Sequence, residues 1–144
     1  MSLLDAAYAP AVEVPPGTTV RDAVSVLLPN RGDALVVKKD RECAGILTSS
    51  DIIQKVVLAQ LNPRKILVQD VMTSPVVMLH PRTPPQDAIN LMLGRKFRHV
   101  PLSEDGITVC GMLSLWRLLL MVVEDQRDDL DHLAAFISVD SPGG

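Results

Sequence analysis

Aromatic residues, cysteines and long apolar runs are all scarce in this chain of 144 residues. Aromatics make up 3% of the residues against 47% hydrophobic residues, so the core must be built from aliphatic side chains. The longest apolar stretch, residues 118–123, is far shorter than the ~20 residues that a membrane span needs. No basic segment leads into an apolar one at the start, as it would in a signal peptide. We therefore expect a cytoplasmic protein that does not act at a membrane.

Positive charge is also in short supply. The net charge is -3, which argues against a general nucleic-acid binder, because such proteins need a basic surface to displace phosphate counterions. The two cysteines, Cys43 and Cys110, and the three histidines show no metal-ligand spacing. No serine lies beside an obvious base. We predict reduced structural thiols, no metal, no cofactor and no catalytic residues.

What the sequence does contain is an internal repeat. Asp22 recurs as Asp87, an offset of 65 residues, and Gly45 recurs as Gly111, an offset of 66. Apolar spacing predicts the order strand, helix, strand, strand, helix twice over. The sequence thus predicts an α/β fold of two β-α-β-β-α repeats packed about a pseudo-twofold axis. Each repeat alone is too small to bury its apolar face comfortably.

The predicted boundaries follow from turn and cap signals. We expect a loose lead-in over residues 1–11, a first repeat over 12–61, a linker over 62–75 and a second repeat over 76–126. An acidic helix end and a disordered tail would occupy 127–144. In the second repeat we expect a strand at 76–79, a helix capped by Thr83 and ended by Gly94, and strands at 100–102 and 107–113. The last helix, from Ser114 to about Glu124 or further, is apolar almost all round, which predicts a homodimer surface.

These features together resemble a pair of CBS domains, also called a Bateman module. The resemblance covers residues 10 to 125 and depends on three landmarks in order. They are the Gly45-to-Asp51 turn, the Val71-Met72-Thr73 lead into the second repeat, and the strand entry Phe97-Arg98-His99-Val100-Pro101-Leu102. The family implies a regulatory module without chemistry of its own. It implies binding of an adenosyl compound: AMP, ADP, ATP, S-adenosylmethionine or NAD(H).

Thr48 and Asp51 are the first candidate ligand-binding residues. Thr48 ends a strand, and the Asp51 carboxylate one turn later can accept both hydroxyls of a ribose, beside a helix N-terminus suited to phosphate. The same spacing also describes a capping box that a helix needs without any ligand. The two roles are compatible, and both stay open. By the resemblance, the site would also include Ile46, Thr73, Val77, Phe97, Arg98 and His99.

The second repeat departs from this pattern, because Arg117 follows Ser114 where the first repeat has Asp51. A guanidinium only donates hydrogen bonds, so Arg117 cannot accept a ribose diol. It could pair with a carboxylate such as Asp33 or reach a phosphate of a ligand in the first site. We therefore predict one nucleotide per chain. The leading hypothesis is a homodimeric nucleotide sensor that signals to an effector protein, and the alternative is a constitutive scaffold with no nucleotide bound.

Overall fold

The computed structural model describes residues 2–30 and 32–140, with side chains as far as residue 137. The fold consists of two three-stranded sheets together with their helices. The strands are β1 Ala7–Tyr8, β2 Glu13–Val14, β3 Ala34–Lys39, β4 Glu42–Thr48, β5 His99–Leu102 and β6 Gly111–Ser114. The helices are α1 Val20–Leu27, α2 Ser49–Ile52, α3 Val68–Val71, α4 Pro85–Arg95 and α5 Leu115–Asp140. Two 3-10 turns, Leu3–Ala6 and Leu28–Asn30, and a π-helical turn, Ile53–Val57, complete the elements.

The first repeat follows the predicted order. Its sheet has the order β2-β3-β4, in which β2 is parallel to β3 and β3 forms a hairpin with β4. Thr19 caps α1 by accepting a hydrogen bond from the Asp22 N–H, as the sequence predicts. α2 continues directly into the π-helical turn that ends at Val57. π-helical turns occur often at functional sites, and this one lies beside the candidate site described below.

The N-terminal residues are not a loose lead-in, so this prediction is wrong. Leu3 is fully buried, and β1 pairs with β6 in the sheet of the second repeat, whose order is β1-β6-β5. Thr73 makes the corresponding contact in the other half, because it bridges to Ile46 of β4. Each sheet is therefore paired at one edge with a segment from just before the other repeat. The two residues of β1 are too few to show a period, which is why the sequence does not reveal the strand.

Three further predictions for the second repeat need correction. Residues 76–79 do not form a strand in the described structure, although Leu79 bridges to Leu102 in the parallel sense seen between β2 and β3. α4 begins one residue later than predicted, with Pro84 in the cap position and no side-chain cap, and it ends at Lys96 in the left-handed conformation. Thr83 thus caps nothing, and Gly94 lies inside the helix.

The ends of the last two elements also differ from the prediction. The strand predicted over 107–113 is confined to Gly111–Ser114, because Asp105 turns the chain by accepting hydrogen bonds from the Ile107 and Thr108 N–H groups. α5 continues through the acidic run to Asp140. The predicted tail beyond residue 140 lies outside the described residues.

The core has one apolar cluster for each repeat and a small third cluster between them. Val20, Leu35 and Leu47 are fully buried in the first cluster, and Leu102 and Leu113 in the second. The third cluster joins Ala34 and Val36 of β3 to Met112 of β6. This shared cluster holds the two sheets together, and the candidate site opens beside it. Cys43 and Cys110 are half-buried free thiols, and burial raises the pKa of each.

Candidate functional site

A cavity of about 480 Å³ opens where the end of β4 meets the segment that leads into β5. This volume lies within the range of small-molecule pockets in proteins. The candidate residues that the structure brings to its wall are Ile46, Thr48, Thr73, Val77, Phe97, Arg98 and His99. Elements of both repeats therefore contribute to one cavity, and its wall combines apolar side chains with hydroxyls and cations.

Asp51 lies behind this wall rather than on it. Its residue exposure is 8%, and it is not among the described residues that line the cavity. One carboxylate oxygen, Oδ2, accepts hydrogen bonds from the Thr48 N–H at 3.0 Å and from Thr48 Oγ1 at 3.2 Å. The Asp51 N–H in turn donates to Thr48 Oγ1 at 3.2 Å. The capping box that the spacing predicts is thus present.

The other oxygen of Asp51, Oδ1, is held by two donors from farther along the chain. Thr73 Oγ1 donates to it at 2.9 Å, and the Lys55 ammonium lies 3.0 Å away. Lys55 also donates to the Val71 carbonyl at 3.1 Å, so it links the π-helical turn to the end of α3. Lys55 is a residue that our sequence reasoning missed. Its position four residues after Asp51 was the available signal, because such pairs lie one above the other on a helix.

Cations belong to the side of the cavity wall that the second repeat contributes. Arg98 and Lys96 are both exposed and line the wall, and Lys96 is another residue that the sequence reasoning missed. Partial burial lowers the pKa of His99, the Asp33 carboxylate opposes this shift, and the Arg98 guanidinium adds to it. The two permanent cations give this side of the cavity a preference for anions such as phosphate.

The start of α2 offers less to a phosphate than the sequence suggests. The Ser49 N–H donates to the Asp33 carbonyl, and the Asp51 N–H donates within the capping box. Ser49 and Ser50 nevertheless line the cavity with their side chains, beside Ile53 of the π-helical turn. Hydroxyl groups, rather than an open row of backbone N–H groups, are therefore what α2 presents to a ligand.

Comparison with known proteins decides the family. The family model described as the CBS domain matches this chain twice, at residues 7–58 and 68–124. The chain belongs to the CBS-domain family. These matches bear out the tandem repeat, and they confirm the fold that the sequence indicates. The family consists of regulatory and signal-transduction modules.

Several relatives and solved structures are similar to this CBS pair. A CBS domain-containing protein from Arabidopsis thaliana, named as mitochondrial, is 32% identical over 83% of this chain and 60% of its own length. The meiotically up-regulated gene 70 protein of Schizosaccharomyces pombe is 36% identical over 70% of this chain, but only 14% of that protein is covered. A CBS-domain containing protein from Agrobacterium tumefaciens has a TM-score of 0.72 and 26% identity, with 78% and 90% of the two chains covered.

One neighbour extends over almost the whole chain. The hexameric CBS-CP12 protein of bloom-forming cyanobacteria has a TM-score of 0.75 and 22% identity, with 97% of this chain and 88% of that chain covered. This likeness concerns the fold. The cytoplasmic location stays a prediction, since a relative is named mitochondrial. Within residues 2–30 and 32–140, no helix has the length and hydropathy to cross a membrane, and no group of acidic, histidine or cysteine side chains is placed to hold a metal.

The second repeat of the CBS pair has its own cavity, of about 400 Å³. Arg117 lines it, and its guanidinium donates to the Ala7 carbonyl at 3.2 Å and lies 4.6 Å from the centre of the Tyr8 ring. Asp33 lines the same cavity, but no ion pair joins it to Arg117 among the described residues. Of the alternatives for Arg117, the structure does not show the salt bridge to Asp33, and the contact with a ligand phosphate stays a prediction: in this structure the half-buried Arg117 anchors β1.

The two cavities carry opposite charges at equivalent places. Arg117 in the second cavity corresponds to Asp51 beside the first, and Asp33 corresponds to His99 at the repeat offset of 66 residues. Asp33 and His99 line both cavities and so form a common wall. Ser114 is buried, and its Oγ accepts from the Arg117 N–H at 3.4 Å, which is a long counterpart of the Thr48 cap. The second cavity thus has a guanidinium where the first has the Asp51 carboxylate, and Lys96 and Arg98 do not line it.

Proposed function

We propose that this CBS pair binds one adenosyl ligand per chain in the first cavity and signals its occupancy to a partner protein or a second copy. The observation that supports this most strongly is the composition of the cavity wall. Ile46, Val77 and Phe97 offer apolar contact for a base, Arg98 and Lys96 suit phosphate, and the Asp51 carboxylate lies directly behind two wall hydroxyls. AMP, ADP and ATP are the first candidates, because both permanent cations at the wall favour phosphate.

A ligand in this cavity affects how the two repeats are arranged relative to each other. Its wall joins Ile46 and Thr48 of the first repeat to Arg98 and His99 of the second. A ligand that contacts both groups favours one arrangement of the repeats, by as much as its affinity differs between arrangements. α5 carries exposed apolar residues, including Trp116 with an exposed fraction of 70% and Leu120 with 42%. A second copy that binds this surface would sense the change in arrangement. In this proposal the homodimer forms through α5.

A constitutive scaffold is the second candidate function, and two observations favour it. Thr48, Thr73 and Lys55 together engage both oxygens of the Asp51 carboxylate, as they would for a purely structural capping residue. The exposed apolar face of α5 would serve a permanent dimer equally well. The two candidates differ in whether the cavity is ever filled.

A thermal-shift comparison separates the two functions. At a hundred times its dissociation constant, a ligand that binds the folded chain stabilises it by about 2.7 kcal/mol. We expect at least one of AMP, ADP, ATP, S-adenosylmethionine and NADH to raise the melting temperature, with cytidine monophosphate as the matched control that has the same ribose and phosphate. If none of the adenosyl compounds shifts the melting temperature, the sensor function is excluded and the scaffold function remains.

A further inference from the structure

The Asp51 carboxylate has no acceptor capacity left for a ligand in this structure. An ionised carboxylate has about four acceptor positions. Two donors approach Oδ2, the Thr48 N–H at 3.0 Å and Thr48 Oγ1 at 3.2 Å. Two more approach Oδ1, Thr73 Oγ1 at 2.9 Å and the Lys55 ammonium at 3.0 Å. A ribose hydroxyl can therefore reach Asp51 only if one of these donors leaves.

The four donors fall into two kinds. The Thr48 N–H is backbone and is fixed by the start of α2, and Lys55 is held by its second hydrogen bond to the Val71 carbonyl. The other two donors are the hydroxyls of Thr48 and Thr73, and both residues line the cavity, whereas Lys55 does not. Each oxygen thus has one fixed nitrogen donor and one hydroxyl donor from a residue of the cavity wall.

We propose that the Thr48 and Thr73 hydroxyls occupy, in the empty site, the two positions that the vicinal diol of a ligand takes on Asp51. This inference rests on the proposed function and specifies how the ligand enters. Each incoming hydroxyl replaces one threonine hydroxyl, so the number of hydrogen bonds to the carboxylate stays the same. The released Thr73 hydroxyl turns to solvent, since Thr73 is exposed, and Thr48 Oγ1 keeps accepting from the Asp51 N–H while its proton turns away from the carboxylate.

This exchange connects binding to the contact between the repeats. Thr73 belongs to the segment that leads into the second repeat, and its backbone pairs with Ile46 of β4 through two hydrogen bonds of 2.8 and 3.0 Å. Its side-chain hydrogen bond to Asp51 adds a third link to the first repeat. A diol that takes this position removes the third link, and the lead segment becomes freer to move. Thr73 is in this way an internal competitor of the ligand.

The variant Thr73→Val tests the inference, because valine keeps the shape of threonine and lacks the hydroxyl. Thr73 is exposed, so the variant should fold, and Thr73→Ala repeats the test if valine disturbs the bridge to Ile46. Thr73→Ser retains a hydroxyl and is the matched control. The probes are adenosine and its dideoxy analogue, which lacks both ribose hydroxyls. Both probes are uncharged, so neither senses the cations of the wall.

We expect Thr73→Val to bind adenosine about three- to tenfold more tightly than the wild type, since a hydrogen bond to a charged group no longer has to be broken. Binding of the dideoxy analogue should not change, and Thr73→Ser should behave as the wild type. If Thr73→Val and Thr73→Ala bind adenosine no better than the wild type, the exchange is refuted while the proposed function stands. If the wild type binds no adenosyl compound at all, the proposed function fails, and the exchange fails with it.

Discussion

Asp51→Ala should weaken the binding of a ribonucleotide by about tenfold. The substitution removes the acceptor of the ribose diol: two hydrogen bonds to a charged group together amount to about 3 kcal/mol, and the exchange with the two threonine hydroxyls offsets about half of this. Isothermal titration of AMP into the wild type and the variant measures the loss. The dideoxy analogue of AMP should bind both proteins with similar affinity, because it has no diol to lose. Equal affinity of AMP for the two proteins would leave Asp51 with its capping role alone.

The same substitution should also lower the free energy of unfolding, by about 2–3 kcal/mol. It removes the Asp51 half of the capping box and leaves the Lys55 ammonium without its carboxylate, although this ammonium is 42% exposed and keeps part of its hydration. Asp70→Ala is the matched control, because Asp70 forms the capping interaction of α3 with the Leu67 N–H and does not line the first cavity. Its expected cost is about 1 kcal/mol, with no change in AMP affinity.

Gly45→Ala should destabilise the chain by about 1–3 kcal/mol, in spite of the small change in size. A Cβ atom at Gly45 would collide with Met72 Sδ, and it would lie 2.8 Å from Met72 Cγ and 3.0 Å from the Thr73 carbonyl oxygen. The Met72 side chain can move, but the Thr73 carbonyl is fixed by its pairing with Ile46. Ligand affinity should fall as well, since the displaced segment carries Thr73.

Gly94→Ala provides the contrasting control for this prediction. Gly94 lies in α4, and a Cβ atom there would meet no atom within 4 Å. Alanine favours a helix over glycine by up to about 1 kcal/mol, so this variant should be more stable than the wild type. Chemical denaturation of both variants measures the two effects. A Gly45→Ala protein as stable as the wild type would show that β4 and the lead segment are not held as closely as the structure indicates.

The repeat and most of the cavity wall could be predicted from the sequence because they depend on local signals. Gly45 and Gly111, the strand-length apolar runs and the hydroxyl at the end of each second hairpin strand are all visible in the order of residues. Gly45 and Gly111 also have the same role in the structure, because each one packs closely against the segment that precedes the other repeat. The family resemblance added Arg98 and His99, and both line the cavity.

What the sequence could not reveal depends on contacts between distant segments. Nothing local shows that Ala7 would present its carbonyl to Arg117, so the predicted alternatives for that cation were a carboxylate such as Asp33 and a ligand phosphate. The burial of Asp51 has the same origin, because Thr73 approaches it from the linker between the repeats. α5 was predicted to extend to about Glu124 or further, and it continues to Asp140, because carboxylates on a solvated helix face do not stop a helix.

Titration calorimetry of the purified chain with AMP tests the central claim most directly. The first cavity has two permanent cations at its wall and Asp51 behind it, and Arg117 lines the second, so we predict one AMP per chain. Asp51→Ala should weaken this binding by about tenfold, and Arg117→Ala should leave the first site intact. Two equal sites per chain, or no binding of AMP or any other adenosyl compound, would contradict the account.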